Sequence, residues 1–147
     1  MTDIMDGTTI GEAFAAAVAA HADRPFLIVP ANPERAYLPS GYKLSYGEAG
    51  RRIEELAALY RQRGYGVGHR VATLLENRPD HILHTLALLS LGVCCVPINP
   101  DYRAAEIAYL LHHSEPEPTA GGLGAKEGVE HLGLRFARHA PTGVGYL

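Results

Sequence analysis

The chain has 147 residues, 47% of them apolar and 20% charged. That composition is of the ordinary globular kind, and the length fits one domain. Thirteen Lys and Arg stand against 16 Asp and Glu, a net charge of −3, so no basic surface for nucleic acid or anionic lipid is expected. The apolar stretches fall short of a membrane span. Asp3 and Asp6 lie where a secretory signal would be positively charged. The two cysteines, Cys94 and Cys95, are adjacent, and neighbours in sequence rarely bridge. The expected location is the cytoplasm.

Residues 8–114 carry dense helix and strand patterning, and residues 115–147 do not. Thr9 with Glu12 forms a capping box ahead of an alanine-rich helix, Ile10 to Ala22, with Phe14 and Val18 on one face. Pro25 ends it, and Phe26 to Val29 read as a buried strand. Residues 30–41 hold three prolines and a glycine and read as a loop, with Tyr42 to Leu44 returning as a strand. Ser45 with Glu48 is a second capping box, opening a helix to Gln62 with Ala49, Ile53, Leu56, Ala57 and Tyr60 on one stripe.

Gly64, Gly66 and Gly68 stop that helix, and Val71 to Leu75 read as a strand. Asn77 is placed as the cap of a helix from Pro79 to Leu91, with Ile82, Leu83, Leu86 and Leu89 as its apolar stripe. Gly92 ends it and Val93 to Val96 follow as a strand. Asp101 is placed as the cap of a last helix to Ser114, with Ile107, Leu110 and Leu111 on one side. Strand, helix and strand from Val71 to Val96 make a βαβ unit with parallel strands. The class is therefore α/β, with a sheet covered on both faces.

Five segments in order resemble the opening of the adenylate-forming superfamily: AMP-forming acyl-CoA synthetases, luciferases and peptide-synthetase adenylation domains. Leu44-Ser45-Tyr46-Gly47-Glu48-Ala49 resembles the family's L-T/S-Y-x-E-L helix start. Gly66-Val67-Gly68-His69-Arg70-Val71-Ala72 resembles G-x-G-D-R-V-A. Glu76-Asn77-Arg78-Pro79-Asp80 resembles the x-N-S-P-E turn. Leu89 to Pro100 resembles L-K-A-G-A-x-x-V-P-L-N-P, and Glu106 to Ser114 resembles E-L-x-Y-x-L-x-x-S. Each piece alone is a weak signal; five in family order with family-like spacing are a strong one.

The resemblance implies an incomplete parallel-sheet N-terminal subdomain of the adenylate-forming fold over 8–114, followed by a poorly structured Gly/Pro-rich tail over 115–147. It implies an intact enzyme that joins a carboxylic acid to ATP, giving acyl-adenylate and pyrophosphate, then passes the acyl group to CoA. ATP, Mg²⁺ and CoA are the implied cofactors and partners of that enzyme. The family's Ser/Thr/Gly-rich phosphate loop, ribose-binding Asp and catalytic Lys have no counterparts here. The lysines are Lys43 and Lys126. No catalytic, cofactor-binding or metal-binding residue is therefore assigned. No ligase activity is expected of the chain alone, because nothing would stabilise charge as pyrophosphate leaves.

Thr119-Ala120-Gly121-Gly122-Leu123-Gly124-Ala125-Lys126 faintly resembles the family phosphate loop. It lacks the interior hydroxyls and the proline, and it follows Ser114 too soon. A glycine-rich coil is the expectation there. The last 33 residues hold 7 of 16 glycines and 3 of 10 prolines, and Pro116 and Pro118 are poor in a central strand. A change of reading frame near Ser114 is one reading; translating the encoding DNA in all frames tests it.

His81 with His84, and His112 with His113, have helical or adjacent spacing but no third ligand, so helix-face histidines are expected. Cys94 and Cys95 have no basic neighbour and are expected as small buried hydrophobes. Arg51 and Arg52 with Glu54 and Glu55 are expected as a solvated charged face. Asp23, Glu48, Glu76, Asp80 and Asp101 have cap or turn roles. The rival to the ligase reading is a non-catalytic interaction module whose open sheet edge binds a partner or self-associates. The same open edge predicts a marginal or molten domain.

Overall fold

The structure is a computed structural model that describes residues 9–114. The expectations for residues 1–8 and for 115–147, including the Thr119 to Lys126 loop, lie outside the described residues. The elements run α1 (Ile10–His21), β1 (Pro25–Val29), β2 (Tyr42–Ser45), α2 (Tyr46–Gln62), β3 (Arg70–Thr73), α3 (Pro79–Ser90), β4 (Cys94–Pro97) and α4 (Ala104–Ser114). The architecture is α/β, as the patterning implies.

Two of the four helix starts form as the sequence dictates. Thr9 accepts from the Glu12 backbone N–H, and the Glu12 carboxylate accepts from the Thr9 N–H at 2.8 Å. Ser45 and Glu48 repeat the arrangement, with Ser45 N–H donating to Glu48 Oε2 at 2.9 Å. These donors hold both carboxyls below the ordinary carboxylate range.

The other two starts differ from expectation. Arg78, not Asn77, stands at the N-cap of α3, and it makes no side-chain cap bond. Pro79 occupies the first turn, where its missing N–H costs nothing, and the helix starts without a polar cap. In α4, Asp101 lies in a turn in which its own N–H donates to Asn99 Oδ1 at 3.0 Å. The helix begins three residues later, where Glu106 accepts from the Arg103 N–H at 2.8 Å.

The strands form two separate two-stranded sheets. β1 and β2 pair antiparallel, with a register shift between Pro25 and Leu27. β3 and β4 pair parallel, Arg70 opposite Cys94 through Thr73 opposite Pro97. The βαβ unit read from sequence is therefore present. Pro97 ends the short strand it belongs to, as a residue without an N–H donor can at a strand terminus.

Two apolar clusters join these elements. Leu44, Ala49, Ile53, Ala57, Leu83 and Ala87 are buried together, with Phe14, Phe26 and Leu86 packed around them. Tyr65, Leu88 and Val93 form the second cluster. Tyr60 and Leu91 pack against both. α3 sits between the clusters and buries Pro79, Leu83, His84, Ala87 and Leu88. The expected stripe is thus rotated: Ile82 is exposed, and His84 takes an inside position. The reason is tertiary, because α3 packs against α1, α2 and β4 together. Gly92 ends α3 with φ +70°, the left-handed conformation that favours glycine. No helix of the described residues is long and apolar enough to cross a membrane.

Candidate functional site

The family-like motifs occupy structural stations. Ser45 and Glu48 close the α2 cap. His69 N–H donates to Gly66 O at 3.1 Å, closing the turn that leads into β3. Cys94 N–H donates to His69 O at 2.8 Å, tying that turn to β4. Ile98 N–H donates to Thr73 O at 2.9 Å and continues the parallel ladder past Pro97. These motifs build backbone, and their letters are those of caps and turns.

The histidines separate in kind. His84 is 6% exposed, and its Nδ1 lies 2.8 Å from Tyr60 Oη. Burial pushes its pKa below the ordinary histidine value; nearby Asp80 opposes the shift and His81 adds to it. His84 is thus a core residue and not an exposed helix-face residue. His112 and His113 are exposed, with the His113 ring stacked on Tyr109 at 5.8 Å. Among the described residues no three His, Cys, Asp or Glu side chains gather as a metal site requires.

Cys94 is exposed, which corrects the expectation of a buried hydrophobe, and Cys95 is half-buried. The alternation of β4 turns their side chains to opposite faces. Cys95 Sγ faces Thr73 Oγ1 at 3.6 Å and Thr85 Oγ1 at 4.0 Å. Tyr65 is 7% exposed, and its hydroxyl is buried without a hydrogen-bond partner among the described residues.

One cavity with convergent polar groups lies between the residue 30–41 loop, α2 and the start of α3. Its volume is about 480 Å³, and Tyr37, Leu38, Tyr42, Arg52, Arg78 and Asp80 are among the residues lining it. That size is within the ~300–1,000 Å³ of small-ligand pockets. Arg35 organises the loop. Its Nε donates to Tyr37 O at 2.9 Å, and its Nη2 donates to Pro30 O at 2.7 Å and Leu38 O at 2.8 Å. This clamp holds Leu38 at φ +46°, a conformation uncommon outside glycine.

Two guanidinium groups stand on tyrosine rings at the cavity wall. Arg78 lies 4.4 Å from the Tyr37 ring centroid and Arg52 5.9 Å from that of Tyr42. Arg52 Nη1 also donates to Tyr42 Oη at 2.7 Å. Arg78 pairs with Glu76, and its Nε is buried without a partner among the described residues. Burial raises the Tyr42 pKa, while Arg52 pulls it down and Asp80 and Glu48 push it further up. Arg52 is therefore drawn to a tyrosine and the cavity, and not only to a charged helix face. Sequence reasoning missed this site. The signal lay in Arg35, Tyr37, Tyr42, Arg52 and Arg78, five residues spread over the 30–41 loop, β2, α2 and the approach to α3 with no fixed spacing.

Caps, βαβ unit and hairpin together make an α/β domain segment. The AMP-binding enzyme family model matches residues 14–120. The chain belongs to that family, as an N-terminal part of its domain. It is 35% identical over 103 residues to a 4-chlorobenzoate–CoA ligase of an Arthrobacter species, covering 65% of this chain and 20% of that protein. It is 36% identical over 73 residues to tyrocidine synthase 2 of Brevibacillus parabrevis, covering 50% of this chain and 2% of that protein. The N-terminal subdomain of Klebsiella oxytoca NpsA, solved with 3-hydroxyanthranilyl-AMSN, superposes with a TM-score of 0.67 at 22% identity, covering 79% of this chain and 27% of that one. At that identity the likeness shows the fold. The chain spans a fifth or less of the length of these curated relatives.

Proposed function

We propose that this chain is the N-terminal scaffold of an acyl-CoA-forming, AMP-producing ligase, and that the 147 residues alone do not form an acyl-adenylate. The observation that carries the CoA-ligase reading is the longer match. Similarity to the 4-chlorobenzoate–CoA ligase runs over 103 residues at 35% identity, against 73 residues for tyrocidine synthase 2 and 100 residues at 30% identity for a PKS-NRPS hybrid synthetase of Aspergillus niger. In the complete enzyme the proposed partners are a carboxylic acid, ATP, Mg²⁺ and CoA. The described residues do not fit an ATP–Mg²⁺ site. Lys43, their single lysine, is exposed on β2, and their carboxylates do not cluster. The segment's part in the reaction is then mechanical: it holds α2, α3 and the β3–β4 pair against the sheet that carries the chemistry.

Two assays test this. The purified chain with ATP, Mg²⁺ and a panel of carboxylates is expected to release no pyrophosphate. A chimera carrying residues 9–114 in place of the matching segment of the 4-chlorobenzoate–CoA ligase is expected to form acyl-CoA. A chimera that folds but makes no acyl-CoA overturns the scaffold reading. Pyrophosphate release by the chain alone overturns the expectation of inactivity.

A further inference from the structure

We propose that α4 is a strap over the outer face of the β3–β4 pair, hinged at the residue 99–102 turn and latched at Arg70, which opens and unravels while the rest of the fold stays closed. The inference does not depend on the ligase reading. Three observations carry it.

The first is where α4 is tied. Arg70 pairs with Cys94 and Ala72 with Val96 in the parallel ladder, so these four side chains share one face, and Val71, Thr73 and Cys95 share the other. The second of these faces belongs to α3. Cys95 Sγ lies 4.0 Å from Thr85 Oγ1 of α3, and Val71 and Cys95 pack against the cluster of Tyr65, Leu88 and Val93. On the first face, Arg70 Nη1 donates to Ser114 O at 3.3 Å. The last residue of α4 is therefore tied to the face that α3 leaves open, where Ala72 and Val96 are half-buried.

The second is how little holds α4 there. Ile107, Ala108, Leu110, Leu111 and Ser114 form its less exposed side, yet they stay half-buried, and the helix buries no residue fully. Among the described residues none of its side chains joins either apolar cluster, and no helix or strand meets it over more than a few residues. α1 also buries nothing fully, but its Phe14 packs on the first cluster and it lies along α2 and α3. The free energy of local opening follows buried apolar contact, so α4 opens before the other helices.

The third is the hinge. Tyr102 N–H donates to Asn99 O at 3.2 Å, and Asp101 N–H donates to Asn99 Oδ1 at 3.0 Å. Both bonds lie inside the turn, so the turn keeps them when α4 leaves the sheet. The 11 residues of α4 are too few to stay helical alone in water, where even about 12–15 are marginal. Release of the strap thus unravels the helix and frees its amides to exchange.

The test is native-state hydrogen exchange of the full 147-residue chain, read by amide-resolved NMR in water and in low urea. Protection of residues 107–114 is expected at least ~10-fold below that of the slowest amides of α2 and α3. Its dependence on urea should be weaker, because a local opening exposes less surface than global unfolding. Arg70→Gln should lower protection of α4 ~5-fold, the scale of one hydrogen bond, and leave α2 and α3 unchanged. Leu110→Ala trims the packed side without touching the latch and should also lower protection in α4 alone. Equal protection and equal urea slopes in α2, α3 and α4 overturn the strap. So does a loss shared by all three helices in either variant, or α4 protection unchanged in both. A loss in Leu110→Ala without one in Arg70→Gln overturns the latch.

Discussion

Tyr65 and His84 show how the same burial has opposite consequences for two polar side chains. His84 has Tyr60 as a partner at 2.8 Å, while the Tyr65 hydroxyl is buried with none among the described residues. An unsatisfied buried hydroxyl costs ~1–3 kcal/mol. Tyr65→Phe keeps the ring packing against Tyr60, whose centroid is 5.9 Å away, and removes that cost. A melting temperature equal to or above that of the parent is expected by circular dichroism; a clear drop would show that the hydroxyl is satisfied in solution. His84 adds a pH dependence. Its folded pKa lies below the ordinary histidine value because burial disfavours the charged ring. The unfolded chain then binds the proton more readily. Stability from this residue is full above about pH 6.5 and is lost as the pH falls below it toward the folded value. Urea midpoints between pH 7.5 and 5 should fall, and His84→Gln should flatten that slope whatever it does to the absolute midpoint. Asp80 and His81 face the same ring, so the slope with Asp80→Asn checks the assignment.

At the scale of elements, the close approach of α1 to α3 decides the packing. A Cβ on Gly11 would meet Ser90 Cα at 2.9 Å, a backbone atom that cannot rotate away. Gly11→Ala should therefore destabilise by ~1–3 kcal/mol, the usual cost of overpacking, although alanine is the better helix former. A gain in stability would show that the helices part easily. The capping box of α2 was legible in the sequence because Ser45 and Glu48 are three residues apart and need no partner from elsewhere. The starts of α3 and α4 were not. Asn77 and Asp101 have the right chemistry for caps, but Pro79 and the Asn99–Asp101 turn set the chain geometry first. The apolar face of α3 was misread for a related reason. Periodicity gives the width of a stripe, and its direction is set by whichever neighbours arrive on both sides.

For the molecule as a whole, the β3–β4 pair is the weak point. A two-stranded parallel sheet is marginal by itself, and parallel strands are normally buried on both faces. Here β4 leaves Cys94 and Pro97 exposed, and α1 and α4 bury no residue fully. We expect a broad thermal transition for the isolated chain, with loss of near-ultraviolet tyrosine signal before loss of helix and with dye binding to exposed apolar surface. A sharp transition with coincident probes would show that the segment is self-sufficient.

Local chemistry in the sequence determined the two capping boxes, the glycine stop at Gly92, the order of strands and helices, and through five ordered motifs the family. These depend on residues a few positions apart, so they are written where they act. Tertiary structure alone decided that His84 is inside, that Cys94 is outside, and that Arg52, exposed on the charged face of α2, also meets Tyr42. It also decided the cavity, where Arg35, Tyr37, Arg52 and Arg78 are brought together from separate elements. Such a site has no period and no spacing, because only the packing of the loop against α2 and α3 makes its residues neighbours.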